Sequence, residues 1–571
     1  MSASSGAPPS PPWLAHYPEY VPRDLSIPDL PVPGLLEESA GRWPSRTALI
    51  FHGRSWSYSA LWELSGHVAG NLAKAGARPG DKWALQLPNC PAYPAAFFGA
   101  LRAGLQIVQV SPLYLGQDLE RVLSDSGATG ILTLDVLYPN LRAVRPKLPR
   151  LERVYVAHLA EFYPAWLRPF VALTLRRRHL STEKPPAQEA RSWRELLVPA
   201  APPNVAIDPA RTVAVYQYTG GTTGIPKAAM LTHRNLVANA LQCRAWFAIQ
   251  PLGTSVTLAS VPFFHVYGLT VALTYPISAG STIVLQLRPE VPEILKLIRK
   301  HHPTEFPAVP ALYAAIAAHP KLPTRAIRSI QVCVSGSAPL PAEVAKRFEA
   351  LTGGYLVEGY GLSEASPVTH CNPIRGQRKA GSIGVPLPLT EQRVVDLDTG
   401  STVLPTGETG ELAVRGPQIM LGYYGHPEES AAALRDGWLL TGDIATLDAE
   451  GYAFIVDRKK DIVIVGGLKV YPREVEEVLF QHPQVAEAAA FGAPDPELGE
   501  IVAAAVVRRP SSAVTEAELI AFVRERIAHY KAPRRIAFKE SLPRSAVQKV
   551  LRRALREELL AARSGAAAGA R

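Results

Sequence analysis

The chain has 571 residues, of which 47% are hydrophobic and 19% charged. That apolar share supports a sizeable core and excludes a disordered or fibrous chain, and the length suggests about four domain-sized units. Sixty Lys and Arg against 50 Asp and Glu leave a formal charge of +10, which favours anionic partners: nucleotides, phosphate-bearing coenzymes or acidic lipid.

Residues 1–22 read as a flexible lead-in, with neither the basic start nor the apolar run of a signal peptide. Residues 57–77 carry helical spacing, with Leu61, Leu64, Val68 and Leu72 on one face. A strand over 82–87, a helix over 93–103, a strand over 106–110, a helix over 121–126 and a strand over 129–134 follow. This alternation predicts α/β layers with mostly parallel sheets. Residues 146–211, rich in Pro, Arg and aromatics, read as a less regular insert. Its Phe162, Trp166 and Phe170 beside arginines suit a membrane interface, while Pro164 and Pro169 argue against one continuous amphipathic helix. A basic, loop-rich insert packed on the core suits the same composition.

From Val213 the alternation resumes and runs to about residue 388. No Asp, Glu, Lys or Arg lies between Arg244 and Arg288. Pro262, His265, Pro276 and Gly280 interrupt that stretch, which predicts buried strands and helices rather than a membrane span. Residues 391–415 alternate like β-structure, and the charged run 457–461 resembles a linker. The expected class is α/β with a β-rich subdomain. A large N-terminal domain spans 23–457, a hinge 458–461, a small α+β C-terminal domain 462–560 and a disordered tail 561–571. The four cysteines (Cys90, Cys243, Cys333, Cys371) form no Cys-x-x-Cys pair, which argues against a disulfide or zinc framework and for the cytoplasm. No RNA-recognition, zinc-finger or basic-zipper pattern is present, so nucleic acid is not expected as a partner.

The strongest local signal is Thr219, Gly220, Gly221, Thr222, Thr223 and Gly224, followed by Lys227. Three glycines let the backbone approach an anion, the threonines add hydroxyl donors, and Lys227 adds a compact positive charge. An apolar strand over 213–216 leads into the loop. A Walker loop needs Gly-Lys-Ser/Thr in succession, but Ile225 and Pro226 separate Gly224 from Lys227; a Gly-x-Gly-x-x-Gly fingerprint is absent. The loop therefore reads as a polyphosphate cradle of another kind.

TGGTTGIPK resembles the phosphate loop of the AMP-forming acyl-adenylating enzymes: acyl-CoA synthetases, luciferases and peptide-synthetase adenylation domains. Six further segments resemble that family's motifs in order. They are PFFHVYG around His265, SGSAP with Gly336, Ser337, Ala338 and Pro339, EGYGLSE, GWLLTGD ending in Asp443, DRKKD with Arg458 and Lys460, and LPRSAVQK ending in Lys549. EGYGLSE carries Glu358, Gly359, Tyr360, Gly361, Ser363 and Glu364. The resemblance covers nearly the whole chain.

It implies the chemistry and the roles. ATP activates a carboxylic acid to an acyl-AMP with release of pyrophosphate, and coenzyme A then takes the acyl group. Residues 219–224 and Lys227 would hold the β- and γ-phosphates, Glu364 would bind Mg²⁺, and His265 would stand beside the acyl pocket. Tyr360 would stack on adenine with residues 337–339 on its other side. Asp443 and Arg458 would hold the ribose. Lys549 would bridge carboxylate and phosphate. The small domain would then rotate at Lys460 and bring Gly466 and Gly467 toward the thiol. Alone, Lys549 would read as a solvated lysine at the start of a basic helix. The sequence departs from the family at Ser363 (usually Thr), Gln548 (usually Gly) and Leu468-Lys469. The motifs most resemble those of bacterial long-chain fatty acid–CoA ligases, so a fatty acid is the expected substrate. Medium-chain or coumarate-type acids, another acyl acceptor, a homodimer and peripheral attachment at the inner face of a membrane stay open.

Overall fold

The computed structural model describes residues 10–177, 180, 185–219, 226–544 and 550–568. Short apolar runs between helical segments build a seven-stranded sheet, buried by helices as a parallel sheet requires. Its order is Arg191–Ser192, Arg153–Ala157, Gly130–Leu134, Lys82–Gln86, Gln106–Gln109, Val213–Thr219 and Lys227–Thr232. Every pair is parallel except the last, where Val213–Thr219 returns antiparallel on Lys227–Thr232. The predicted helices appear as Tyr58–Lys74, Ala92–Arg102 and Gly116–Ser126.

A second system joins two four-stranded sheets. Glu305 bridges Thr257 on one side and Val332 on the other, so the segment around it acts as a linking strand. The charge-free stretch forms the strand Val256–Ala259, a helical run from Val266 to Ser278 with a π-turn at Thr270–Thr274, and the strand Thr282–Leu285. No helix among the described residues is long and apolar enough to cross a membrane.

Two segments are more ordered than the sequence suggested. Residues 10–22 of the lead-in are docked: Tyr17 donates its hydroxyl to Pro386 O at 2.7 Å and meets the Trp246 ring edge-on, and Val21 is buried. Residues 1–9 lie outside the described residues. The insert supplies the strand Arg153–Ala157 to the main sheet and a helix, Arg168–Arg177. Pro169 does not break that helix because it sits in the first turn, where a backbone N–H has no intrahelical partner to lose.

By contacts the chain divides into two compact units, Met1–Glu391 with Arg415–Leu439, and Gln392–Val414 with Leu440–Arg571. Within the second unit, residues 443–447 pair antiparallel with the strand Ala453–Arg458. A five-stranded sheet follows, built on the long hairpin Val485–Asp495 and Gly499–Arg508 and backed by the helices Pro472–Phe480 and Glu516–Arg524. The segment 458–461 lies inside this unit. Arg473 explains why, since its backbone N–H donates to Asp457 and its guanidinium to Ile455 O. The helix Arg552–Ala568 runs through most of the tail expected to be disordered, as its alanine content favours.

Candidate active site

In the first unit, the strand pair Val213–Thr219 and Lys227–Thr232 brackets the phosphate loop and sets Thr219 opposite Lys227. The Thr219 hydroxyl donates to Lys227 O at 3.3 Å. Tyr218, one residue earlier, donates to Asp125 Oδ2 at 2.6 Å and anchors the loop's root. Gly220, Gly221, Thr222, Thr223 and Gly224 lie outside the described residues.

A segment that the sequence reading did not single out completes this corner. Residues 420–424 pair with the free edge of Lys227–Thr232: Met230 N donates to Gly422 O, Leu421 N to Met230 O, and Tyr424 N to Ala228 O. Through this pairing Tyr423 and Glu429 reach two predicted site residues. The Tyr423 hydroxyl donates to Glu364 Oε1 at 2.8 Å. Lys227 Nζ lies 5.8 Å from the centre of the Tyr423 ring and 3.1 Å from Glu429 Oε1. Burial, and then the Glu364 charge, push the Tyr423 hydroxyl well above its usual pKa, so it stays a donor. The hydrogen bond from Lys227 holds the exposed Glu429 carboxyl below its usual range. Glu364 itself sits in the short turn Ser363–Ala365, and its carbonyl accepts from Met420 N at 2.8 Å.

The remaining motifs of this unit pack against one another. The strand Tyr355–Gly361 runs parallel to Val332–Ser335 and antiparallel to Val368–Cys371. Glu358 Oε2 accepts from Leu340 N at 3.1 Å and ties this strand to the end of the 336–339 loop. Tyr360 meets His370 edge-on, with ring centres 5.9 Å apart. Gly361 is required by close packing: a Cβ there would stand 2.1 Å from Pro367 O. Gly336 is buried against the Tyr267 ring, while Ser337, at φ +70°, Ala338 and Pro339 are exposed. His265 caps the helix Val266–Leu269, its Nδ1 accepting from Tyr267 N at 3.2 Å. Tyr267 in turn donates to Val334 O at 2.7 Å, which links the histidine motif to the strand before Gly336.

In the second unit, strand register places Asp443 opposite Arg458, with Arg458 Nε 3.2 Å from Asp443 Oδ1. Asp443 is buried, and its backbone N–H donates to the Thr441 hydroxyl oxygen at 3.1 Å. Glu411 accepts from Gly442 N and from Lys459 Nζ and so fixes the turn before Asp443. Lys460 is exposed in the short turn Lys459–Asp461. Gly466 and Gly467, both at positive φ, form the two-residue turn of a hairpin between Val463–Val465 and Leu468–Val470. That turn type needs left-handed backbone at both positions, a structural requirement beside any role toward a thiol. Lys549 lies outside the described residues; Arg544 and Val550 on either side pair as an antiparallel bridge.

With this geometry in place, likeness to known proteins defines the class. The AMP-binding enzyme family matches residues 36–424, and the AMP-binding enzyme C-terminal domain matches residues 474–549. The chain belongs to the AMP-binding enzyme family. It is 43% identical, over 96% of its length and 98% of the relative's, to a long-chain-fatty-acid–CoA ligase of Bacillus subtilis (strain 168). It is 36% identical, over the same shares, to a protein of that name from Escherichia coli O6:H1. Among solved structures it resembles ATP-bound MatB from Rhodopseudomonas palustris, with a TM-score of 0.81 at 28% identity, covering 93% of this chain and 99% of that one.

Proposed function

We propose that this protein is a ligase that joins a long-chain fatty acid to coenzyme A in two steps, through an acyl-AMP made from ATP. The observation that carries this reading is the full-length likeness to two long-chain-fatty-acid–CoA ligases. The juxtaposition of Lys227, Tyr423 and Glu364 in one corner of the first unit supports it.

A carboxylate is a poor acyl donor because its leaving group would be oxide. In the first step its oxygen attacks the α-phosphorus of ATP, and pyrophosphate leaves. Charge builds on the transferring phosphoryl and on the departing oxygens, so the protein's work is positioning and charge stabilisation. Thr219, the loop 220–224 and Lys227 hold the β- and γ-phosphates. Lys227 exchanges its contact with Glu429 for phosphate oxygen. Tyr360 and the 336–339 loop frame the adenine, with Glu358, Gly359 and Gly361 shaping the strand that carries the ring. Asp443 accepts from the ribose hydroxyls, and Arg458, already oriented by Asp443, donates to them. His265 stands beside the acid. Lys549 neutralises charge between carboxylate and phosphate.

Glu364 fits a hard cation: one oxygen accepts from Tyr423, and lone pairs remain on the carboxylate. Among the described residues no cluster of three metal-ligating side chains exists. That suits Mg²⁺, which takes one or two carboxylates and completes its shell with phosphate and water. Bound with ATP, the ion would neutralise phosphate charge. In the second step the coenzyme A sulfur attacks the acyl carbonyl and AMP leaves. Lys460 is the pivot that exchanges Lys549 for the Gly466-Gly467 turn.

We further propose that the protein works in the cytoplasm and peripherally at the inner face of a membrane, where a long-chain acid partitions. Pyrophosphate release from ATP with palmitate, and its dependence on coenzyme A for palmitoyl thioester, tests the reaction. Release with palmitate above that with octanoate or coumarate is expected. Coumarate preferred over palmitate would overturn the substrate class.

A further inference from the structure

We propose that the outward face of the helix Arg168–Arg177 is a docking surface for an anionic phospholipid bilayer. That this surface delivers acid to the enzyme rests on the fatty-acid activity proposed for the protein; the docking itself does not.

The insert divides its aromatic residues into two sets. Phe162 is buried. Tyr163 stacks on His52 with ring centres 4.4 Å apart and meets Phe51 edge-on at 5.4 Å. Arg54 donates to Glu161 O, and Arg168 Nε to Tyr163 O. These contacts fix the root of the helix on the first unit. On the inner side, Leu175 is buried.

The second set points the other way. Trp166 is 70% exposed, Phe170 65% and Leu173 48%. Trp166 stands in the turn just before the helix; on the helix Phe170, Leu173 and Arg177 fall at spacings of three and four residues, which is a single stripe. A surface helix ordinarily turns its charged face outward; this one turns outward a ring and a leucine, with Trp166 exposed in the turn that leads into it. Single exposed apolar residues need no explanation, but an aligned row of large ones marks a binding surface.

Charge identifies the occupant. The helix carries no acidic residue, and Arg176 and Arg177 are exposed in its last turn. Neither takes part in an ion pair among the described residues. The nearby acid Glu161 is paired with Arg194 at 3.0 Å. Aromatic rings settle at the headgroup level, and arginines draw in anionic lipid. A stable protein interface uses about 20–30 residues a side, far more than this row offers. A bilayer needs only the row.

Flotation of the full chain, without ATP or coenzyme A, on phosphatidylglycerol and on phosphatidylcholine vesicles tests the proposal. Wild type is expected to float with phosphatidylglycerol and much less with phosphatidylcholine. Trp166→Ser with Phe170→Ser should lower the partition coefficient about tenfold. Arg176→Gln with Arg177→Gln should lower it about fivefold per arginine and remove the salt dependence. Both variants should keep wild-type turnover of octanoate, which shows that they fold. Equal flotation of wild type and the Trp166/Phe170 variant overturns the proposal. So does a wild-type dimer that this variant dissociates, which would assign the face to a second copy. Vesicle binding that persists in a chain inactive on every acid would reject the ligase reading alone.

Discussion

Lys227 in the first unit and Arg552 in the second are both cations held by carboxylates, and their surroundings differ. Among the described residues Lys227 has one carboxylate partner, Glu429, whose side chain is 43% exposed. Arg552 is three-quarters buried and has three: Asp461 at 2.8 Å, Glu476 on both oxygens at 2.8 and 2.9 Å, and Asp457 at 3.9 Å. Burial pushes the Asp457 and Glu476 carboxyls above their usual range, and Arg552 pulls them back. Burial alone would weaken the charge on Arg552, but Glu476, Asp457 and Asp461 outweigh it and hold the guanidinium charged. An exposed pair is worth at most about 1 kcal/mol and can be exchanged for a ligand. A buried network costs several times that to break and serves as scaffold. The first arrangement suits a group that must let go of its partner when a phosphate arrives. The second suits the fixed end of a segment that turns.

Arg552→Ala should cost about 3–5 kcal/mol, because the buried Asp457 and the partly buried Glu476 and Asp461 lose their cation. Urea unfolding of the second unit's signal reads this, and a loss under 1 kcal/mol would contradict the network.

Glu305 extends the contrast, as a buried carboxyl with hydroxyl partners and no cation. Thr257 and Tyr275 donate to it at 2.7 Å each. Burial raises its pKa, and the hydroxyls offset this only in part. The folded state therefore holds its proton to higher pH than the unfolded chain does. Stability falls as pH rises from the ordinary carboxylate range through the raised value. Glu305→Gln should melt above wild type at neutral pH, and the difference should shrink toward acid pH. A difference independent of pH would show that the carboxyl is not the cause.

Two substitutions sharpen the Lys227 side. Tyr423→Phe removes the donor to Glu364 and should lower kcat/KM for ATP about tenfold, as a lost bond to a charged group does. No change would separate Tyr423 from the site. Glu429→Gln frees Lys227 and should lower KM for ATP about two- to fivefold with kcat unchanged. A raised KM would mean that Glu429 aims Lys227 rather than competing for it.

Local pattern made the strands and helices of the first 134 residues legible, because apolar spacing and turn residues there agree with the final sheet. The motifs were legible too, and strand register puts Asp443 opposite Arg458. Tyr423 and Glu429 were not, since they reach Lys227 through edge pairing with a strand nearly 200 residues earlier, which leaves no local signal. Arg552 carries no local signal either, because its partners Asp457, Asp461 and Glu476 are distant in sequence. The docked lead-in was hidden for the same reason, because Tyr17 bonds to residue 386. At Pro169 the sequence rule was sound but its position in the helix was not visible.

Lys549 is proposed to act in the first step only. Pyrophosphate release and thioester formation from supplied palmitoyl-AMP, measured side by side for Lys549→Ala, test it. Loss of pyrophosphate release by about a thousandfold or more, with thioester formation near wild type, is expected. Equal loss of both, or retention of pyrophosphate release, would contradict it.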